Sequence, residues 1–156
     1  MRITWIDEHI CGSGIPVSTD NLASLKEQGV QAIVTLTEHP LTVQKALRAE
    51  VLAEYGFTVL HVPVVDQYEP TIEQTKQVYD FVQTMSAQNK PTLLHCHAGV
   101  GRTGTMLHAV YLWSGMSLDE AKALIKAKRP TSQFFMLTDV QKAFLEQLAR
   151  HIQHLA

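Results

Sequence analysis

Between Gly101 and Ser114 the chain carries apolar residues on every side of a helical turn: Met106, Leu107, Ala109, Val110, Leu112 and Trp113. A helix without a polar face cannot lie on a surface and must be enclosed on all sides. Just upstream, Thr92 to His95 is a short apolar run that reads as a central strand. The chain therefore passes directly from a buried strand into a buried helix. Enclosing that pair takes a sheet on one side and further helices around it.

The rest of the sequence supplies those elements. Its 156 residues, 46% of them hydrophobic, suffice for one domain with a sizeable core. Residues 1–156 read as a single unit, without repeat, linker or low-complexity tract. Thr4 to Ile6, Val30 to Leu36 and Phe57 to Val65 read as strands, the last fraying at Pro63. Ser18 or Thr19 caps a short helix holding Leu22 and Leu25 that stops near Gly29. From Leu41 to Tyr55, Val43, Leu47 and Val51 recur every four positions, which predicts a continuous helix ended by Gly56. Thr71 with Gln74, and Ser117 with Glu120, form capping boxes opening two more helices, the second closed by Pro130. A last helix carries Val140, Phe144, Leu148 and Ile152 on one face. Cys11 to Pro16 reads as turn-rich, and Asp66 to Pro70 as a loop. The order β-α-β-α-β-α-β-α-α-α predicts an α/β architecture, a central sheet with helices on both faces.

Thirteen basic against fifteen acidic residues give a net charge of −2, which argues against a general nucleic-acid or anionic-membrane binder. Two cysteines, Cys11 and Cys96, make no disulfide framework and point to a reducing compartment. The opening Met1-Arg-Ile-Thr-Trp-Ile-Asp-Glu8 lacks an uninterrupted apolar stretch, so no signal peptide is expected. No run reaches the about 18 apolar residues needed to span a bilayer. The expectation is a cytoplasmic protein with no membrane span.

The chemistry concentrates at the strand-to-helix junction, in His95-Cys96-His97-Ala98-Gly99-Val100-Gly101-Arg102-Thr103-Gly104. Backbone N–H groups in such a turn can point inward, and the helix N-terminus adds partial positive charge. Gly99 and Gly101 permit the tight anion-cradling path. Arg102, six residues after Cys96, can grip two oxygens of an anion with its planar fork, a geometry lysine cannot match. The same surroundings favour a thiolate: a cysteine with an ordinary pKa of about 8.5 can fall to roughly 3.5–7.5 in such a cradle. Cys96 is then a nucleophile beneath a bound dianion, which suits attack on a phosphate ester.

This run resembles the Cys-x5-Arg-Ser/Thr signature of the cysteine-dependent protein tyrosine phosphatase superfamily. The remainder is similar to its small atypical dual-specificity branch, through Ser13-Gly-Ile-Pro16, Ile33-Val-Thr-Leu-Thr37, Val62-Pro-Val-Val-Asp66 and Arg129-Pro130. The resemblance implies a mixed sheet of about five strands and a two-step reaction without metal or cofactor. Cys96 would attack phosphorus, giving a phosphocysteine that water then hydrolyses. Arg102 and the N–H groups of His97, Ala98, Gly99, Val100, Gly101 and Arg102 would bind the phosphoryl oxygens. Thr103 matches the hydroxyl that assists departure of the thiolate, and His95 would order the loop. Asp66, thirty residues before Cys96, takes the position of the general acid, with Glu69 on the same loop as the alternative. Gln133 resembles a glutamine found near the hydrolytic water. The expected partner is a phosphorylated protein or peptide, with no nucleic acid, and the chain is expected to act as a monomer. A phosphoinositide or other non-protein phosphatase remains an alternative, as does a phosphate-binding module without turnover.

Other residues read more plainly. His95 and His97 would point to opposite faces of a strand, so no metal cluster is expected there. Cys11 reads as a packed core thiol or else a redox partner for Cys96. His108 reads as a hydrogen-bonded core histidine, while His39, His151 and His154 read as surface residues. Tyr68 could stack on a substrate ring at a pocket mouth.

Overall fold

In the computed structural model, which describes residues Met1–Ala156, five strands form one mixed sheet. They are β1 (Thr4–Trp5), β2 (Ile10–Ser13), β3 (Ala32–Thr35), β4 (Thr58–His61) and β5 (Thr92–His95), in spatial order β1-β2-β5-β3-β4. All pairings are parallel except that of β1 with β2. The last strand in sequence is thus the middle of the sheet, with Leu93 of β5 beside Cys11 on one neighbour and Ile33 on the other. Six helices flank it: α1 (Thr19–Glu27), α2 (Ala49–Glu54), α3 (Ile72–Ala87), α4 (Gly101–Trp113), α5 (Leu118–Lys128) and α6 (Asp139–Leu155).

The period-two alternation of strand side chains divides the core. Ile33 and Leu93 pack with Leu22 and Leu25 of α1 and Leu52 of α2 on one face. Val34 and Leu94 pack on the other with α3, α4, α5 and α6. The apolar helix α4 lies inside that second layer, every residue from Arg102 to Leu112 buried. Ser18, Thr71, Ser117 and Thr138 cap α1, α3, α5 and α6 through their hydroxyls, the last three as capping boxes.

Three segments, and one helix face, depart from the sequence reading. The turn-rich Cys11–Pro16 begins as strand β2, because Asp7 accepts the amides of His9 and Ile10 and turns the chain into a hairpin with β1. Gly12 belongs to that strand because Arg129 crosses it, its Nε only 3.2 Å from where a Cβ would stand. The expected helix over Leu41–Tyr55 is two 3-10 turns, Leu41–Val43 and Lys45–Leu47, followed by the short α2. Its buried anchors are Leu41, Leu47 and Leu52 rather than an every-fourth series, and Gln44 and Arg48 are extended between them. β4 stops at His61, although Val62 and Val64 still donate to Thr35 and Leu36, because Pro63 has no N–H to continue a regular ladder. On α6, Val140 is exposed and the buried position beside it belongs to Gln141.

Two buried histidines tie this core to pH. Burial pulls both His95 and His108 down to about 4, so each ring is neutral in the fold near neutral pH. An unfolded histidine binds a proton near 6.5. The unfolded state therefore holds more protons between about 6.5 and 4, and stability falls as pH falls through that window. Two such rings contribute a slope of up to about 3 kcal/mol per pH unit. Urea denaturation at intervals across this range is expected to show the loss, and His108→Asn is expected to remove about half of the histidine contribution.

Candidate active site

The chain leaves β5 at His95 and enters α4 at Gly101 through the turn Cys96–Val100. The carbonyls of this turn are held from outside. His95 Nδ1 lies 2.9 Å from the Cys96 oxygen and its Nε2 lies 2.9 Å from Thr35 Oγ1. Because the buried ring is neutral, Nδ1 donates and Nε2 accepts. The Ile15 amide donates to the His97 oxygen at 3.0 Å. The Gly99 oxygen accepts from Arg129 Nη2 at 2.8 Å and from Ser132 Oγ at 2.9 Å. Gly99 itself has φ +77, and a Cβ there would stand 2.6 Å from the Ser13 carbonyl oxygen, so only glycine fits. With three of its carbonyls taken by the scaffold, the turn offers amides to the centre, joined by the first turn of α4, which no side chain caps.

Arg129 is the brace beneath the turn. Besides Gly99 it donates to Ser132 Oγ, Thr4 Oγ1 and the Gly12 carbonyl, using β1, β2 and its own following turn. Burial pushes its guanidinium below the ordinary arginine value, opposed by the nearby thiols of Cys96 and Cys11.

Cys96 is buried at the floor of a cavity of about 340 Å³. Its Sγ accepts from the Gly99 amide at 3.3 Å and from Thr103 Oγ1 at 3.1 Å. Arg102, also buried, spends Nη1 on Glu38 Oε1 at 2.5 Å and on the Val64 carbonyl at 3.0 Å. Its Nε has no partner, and Nη2 faces Asp66 Oδ1 at an ion-pair distance of 3.6 Å. The edge of the fork nearest the cavity is thus left to bind a tetrahedral oxyanion. Glu38 is held below the usual carboxyl range by its own backbone amide, then by the Arg102 guanidinium and the Asp66 amide.

Of the residues singled out from the sequence, His97, Ala98, Val100, Gly101, Arg102, Cys96 and Asp66 line this cavity. Gly99, Thr103 and His95 stand behind it and touch it through Cys96. Gln133 and Glu69 do not line it; Gln67, Met136, Thr138 and Gln141 do. Cys11 belongs to the opposite face of the sheet from Cys96, which removes it as a disulfide partner in this fold. Burial pushes the Cys11 thiol up to about 12, the value of an inert core thiol. His108 Nδ1 meets the Gly104 carbonyl at 2.6 Å, as a core histidine does. The sequence reading missed Glu38, Ser132 and Gln141, and took Arg129 only as part of a motif. A glutamic acid just beyond the C-terminal end of a central strand was the available signal for Glu38.

A family model described as "Tc-R-P: Polymorphic toxin system, DSP-PTPase phosphatase" matches residues 11–116. Dual specificity protein phosphatase 16 of Homo sapiens is 39% identical over 74 residues, covering 46% of this chain and 11% of that protein. Phosphatidylglycerophosphate phosphatase PTPMT2 of Arabidopsis thaliana is 27% identical over 148 residues, covering 93% of this chain and 61% of that protein. The chain therefore spans less than two thirds of the length of either relative. Among solved structures, Tk-PTP in its active form superposes with a TM-score of 0.81 and 28% identity, over 95% of this chain and 96% of that one. The chain belongs to the DSP-PTPase phosphatase family, whose model it matches over residues 11–116, and it has the fold of the dual-specificity phosphatases.

Proposed function

We propose that this phosphatase hydrolyses phosphotyrosine, and also phosphoserine and phosphothreonine, in proteins through a phosphocysteine on Cys96. The observation that carries the chemistry is the Cys96 sulfur, holding two donated hydrogen bonds in a cavity that Arg102 also lines, with the Arg102 Nε left unpartnered. In the first step the Cys96 thiolate forms a bond to phosphorus while the bond to the leaving oxygen breaks and Asp66 gives that oxygen its proton. In the second, water attacks phosphorus, its proton passes to the Asp66 carboxylate, and the thiolate departs toward Thr103 Oγ1. Arg102 and the inward amides carry the charge of the three equatorial oxygens throughout. Asp66 is exposed at the mouth, 3.6 Å from Arg102 Nη2, where a leaving oxygen would emerge.

A protein substrate fits the lining. Arg102 is the one lysine or arginine on the cavity wall, which matches a single phosphoryl group better than a polyphosphorylated headgroup. One observation favours a second reading, a phospholipid monoester: a relative matched over 93% of this chain is named for phosphatidylglycerophosphate.

Para-nitrophenyl phosphate hydrolysis in the presence of chelator is expected to persist in the wild type and vanish in Cys96→Ser. A matched panel of phosphotyrosine peptide and phosphatidylglycerophosphate vesicles decides between the substrate classes. Higher kcat/KM on the peptide is the expected result, and the reverse order would establish the lipid reading. Asp66→Asn is expected to slow phosphotyrosine peptide hydrolysis by roughly 10²–10³, and an activated aryl phosphate much less, because only a poor leaving group needs the proton. Equal turnover by Asp66→Asn and wild type on the peptide would remove Asp66 from the mechanism.

A further inference from the structure

Gln141 is fully buried, yet it reaches the wall of the candidate active-site cavity. It occupies the third position of α6, where its Oε1 accepts the Thr138 amide at 3.0 Å. Its Nε2 does something a capping box does not require: it donates to the Tyr68 carbonyl at 3.2 Å. The same amide lies flat against the phosphate-binding turn, since a Cβ on Gly101 would stand 3.3 Å from both its Nε2 and its Oε1. Thr138, the N-cap, lines the same cavity and donates its Oγ1 to the Gln67 carbonyl at 2.9 Å. Two successive carbonyls immediately after Asp66 are thus held by the first turn of one helix.

The backbone they hold is unusual. Gln67 has φ 71, a left-handed conformation that residues other than glycine adopt only where something maintains it. On the other side of Asp66, its amide donates to Glu38 Oε2 at 3.3 Å, and the Val64 carbonyl accepts from Arg102. Asp66 is therefore suspended between an arginine-linked anchor and an α6-linked anchor, with the strained residue adjoining it.

We propose that Thr138 and Gln141 are positioning residues that latch the Asp66 loop to the phosphate-binding turn and thereby set where the acid delivers its proton. This rests on Asp66 being the general acid. Without the latch, Gln67 leaves the left-handed region and the Asp66 carboxyl moves away from the leaving oxygen, while Cys96, Arg102 and Thr103 keep their own contacts. The deficit is then specific to proton delivery.

The test compares kcat on phenyl phosphate, a poor leaving group, with kcat on para-nitrophenyl phosphate, an activated one. Thr138→Val and Gln141→Leu are each expected to lose about tenfold more on phenyl phosphate than on the activated ester. Thr138→Ser, which keeps the hydroxyl, is expected to restore the wild-type ratio even though its cap is altered. In an Asp66→Asn background neither substitution is expected to change the ratio further, because there is no proton left to misplace. Equal losses on the two esters, or an undiminished effect in the Asp66→Asn background, would overturn the latch. The Asp66→Asn single variant separates the two assignments. If it discriminates between the esters and the α6 variants do not, only the latch falls. If it does not discriminate, the acid assignment falls and takes the latch with it. Should Gln141→Leu fail to fold, the Thr138 pair alone decides, since valine and serine differ there in the one hydroxyl that reaches Gln67.

Discussion

Everything in this protein depends on which way five peptide groups face. In the turn from Cys96 to Val100 the carbonyls of Cys96, His97 and Gly99 are each claimed by a donor from elsewhere in the chain. A peptide group has two polar ends, and fixing the oxygen outward commits amides to the interior. The donors are a neutral histidine, a backbone amide, a buried arginine and a serine hydroxyl, drawn from β5 and from the segments after β2 and α5. The sheet order, with β5 between β2 and β3, is what brings those segments to one place. A concave array of N–H dipoles then stands above a sulfur, and such fixed dipoles stabilise charge without having to reorient when it develops.

Arg102 illustrates how much of a buried cation can be left unsatisfied when a ligand is to complete it. Glu38 and the Val64 carbonyl occupy one terminal nitrogen and hold the side chain's direction. Nε remains without a partner inside the protein, a cost that a structural arginine avoids, as Arg129 does with four bonds to four acceptors. The two arginines differ in residue surroundings rather than in burial. One is spent on the scaffold, and the other keeps an edge in reserve.

Legibility in the sequence followed the range of the interaction. The loop could be read from ten consecutive residues, because Gly99, Arg102 and Thr103 act within a few positions of Cys96. Leu93 and Leu94 announced a buried strand, and the Met106–Trp113 stretch announced an enclosed helix, since burial on all sides leaves no polar period. Gly12 hid β2, because a glycine needed for the close passage of Arg129 looks like a turn residue when its neighbour 117 residues away is unknown. Val43, Leu47 and Val51 imitated a helical face whose true anchors, Leu41, Leu47 and Leu52, obey no single period. Glu38 looked like any solvated loop acid, and its meaning lies in Arg102, 64 residues on. Gln141 escaped the sequence reading altogether, and nothing local shows that its amide rests on Gly101 and reaches Tyr68.

The brace under Gly99 also governs when in its own biosynthesis this chain acquires its chemistry. Cys96, Arg102 and the acid loop emerge from a ribosome well before Arg129 and Ser132, which lie 30 and 33 residues beyond Gly99. The central strand likewise pairs with segments made far earlier, so its ladder closes large loops and forms slowly. Until the end of α5 has left the exit tunnel, the Gly99 carbonyl lacks both of its donors. A nascent chain truncated before residue 129 carries the whole signature and the His95 and Ile15 contacts, but lacks the brace that holds Gly99.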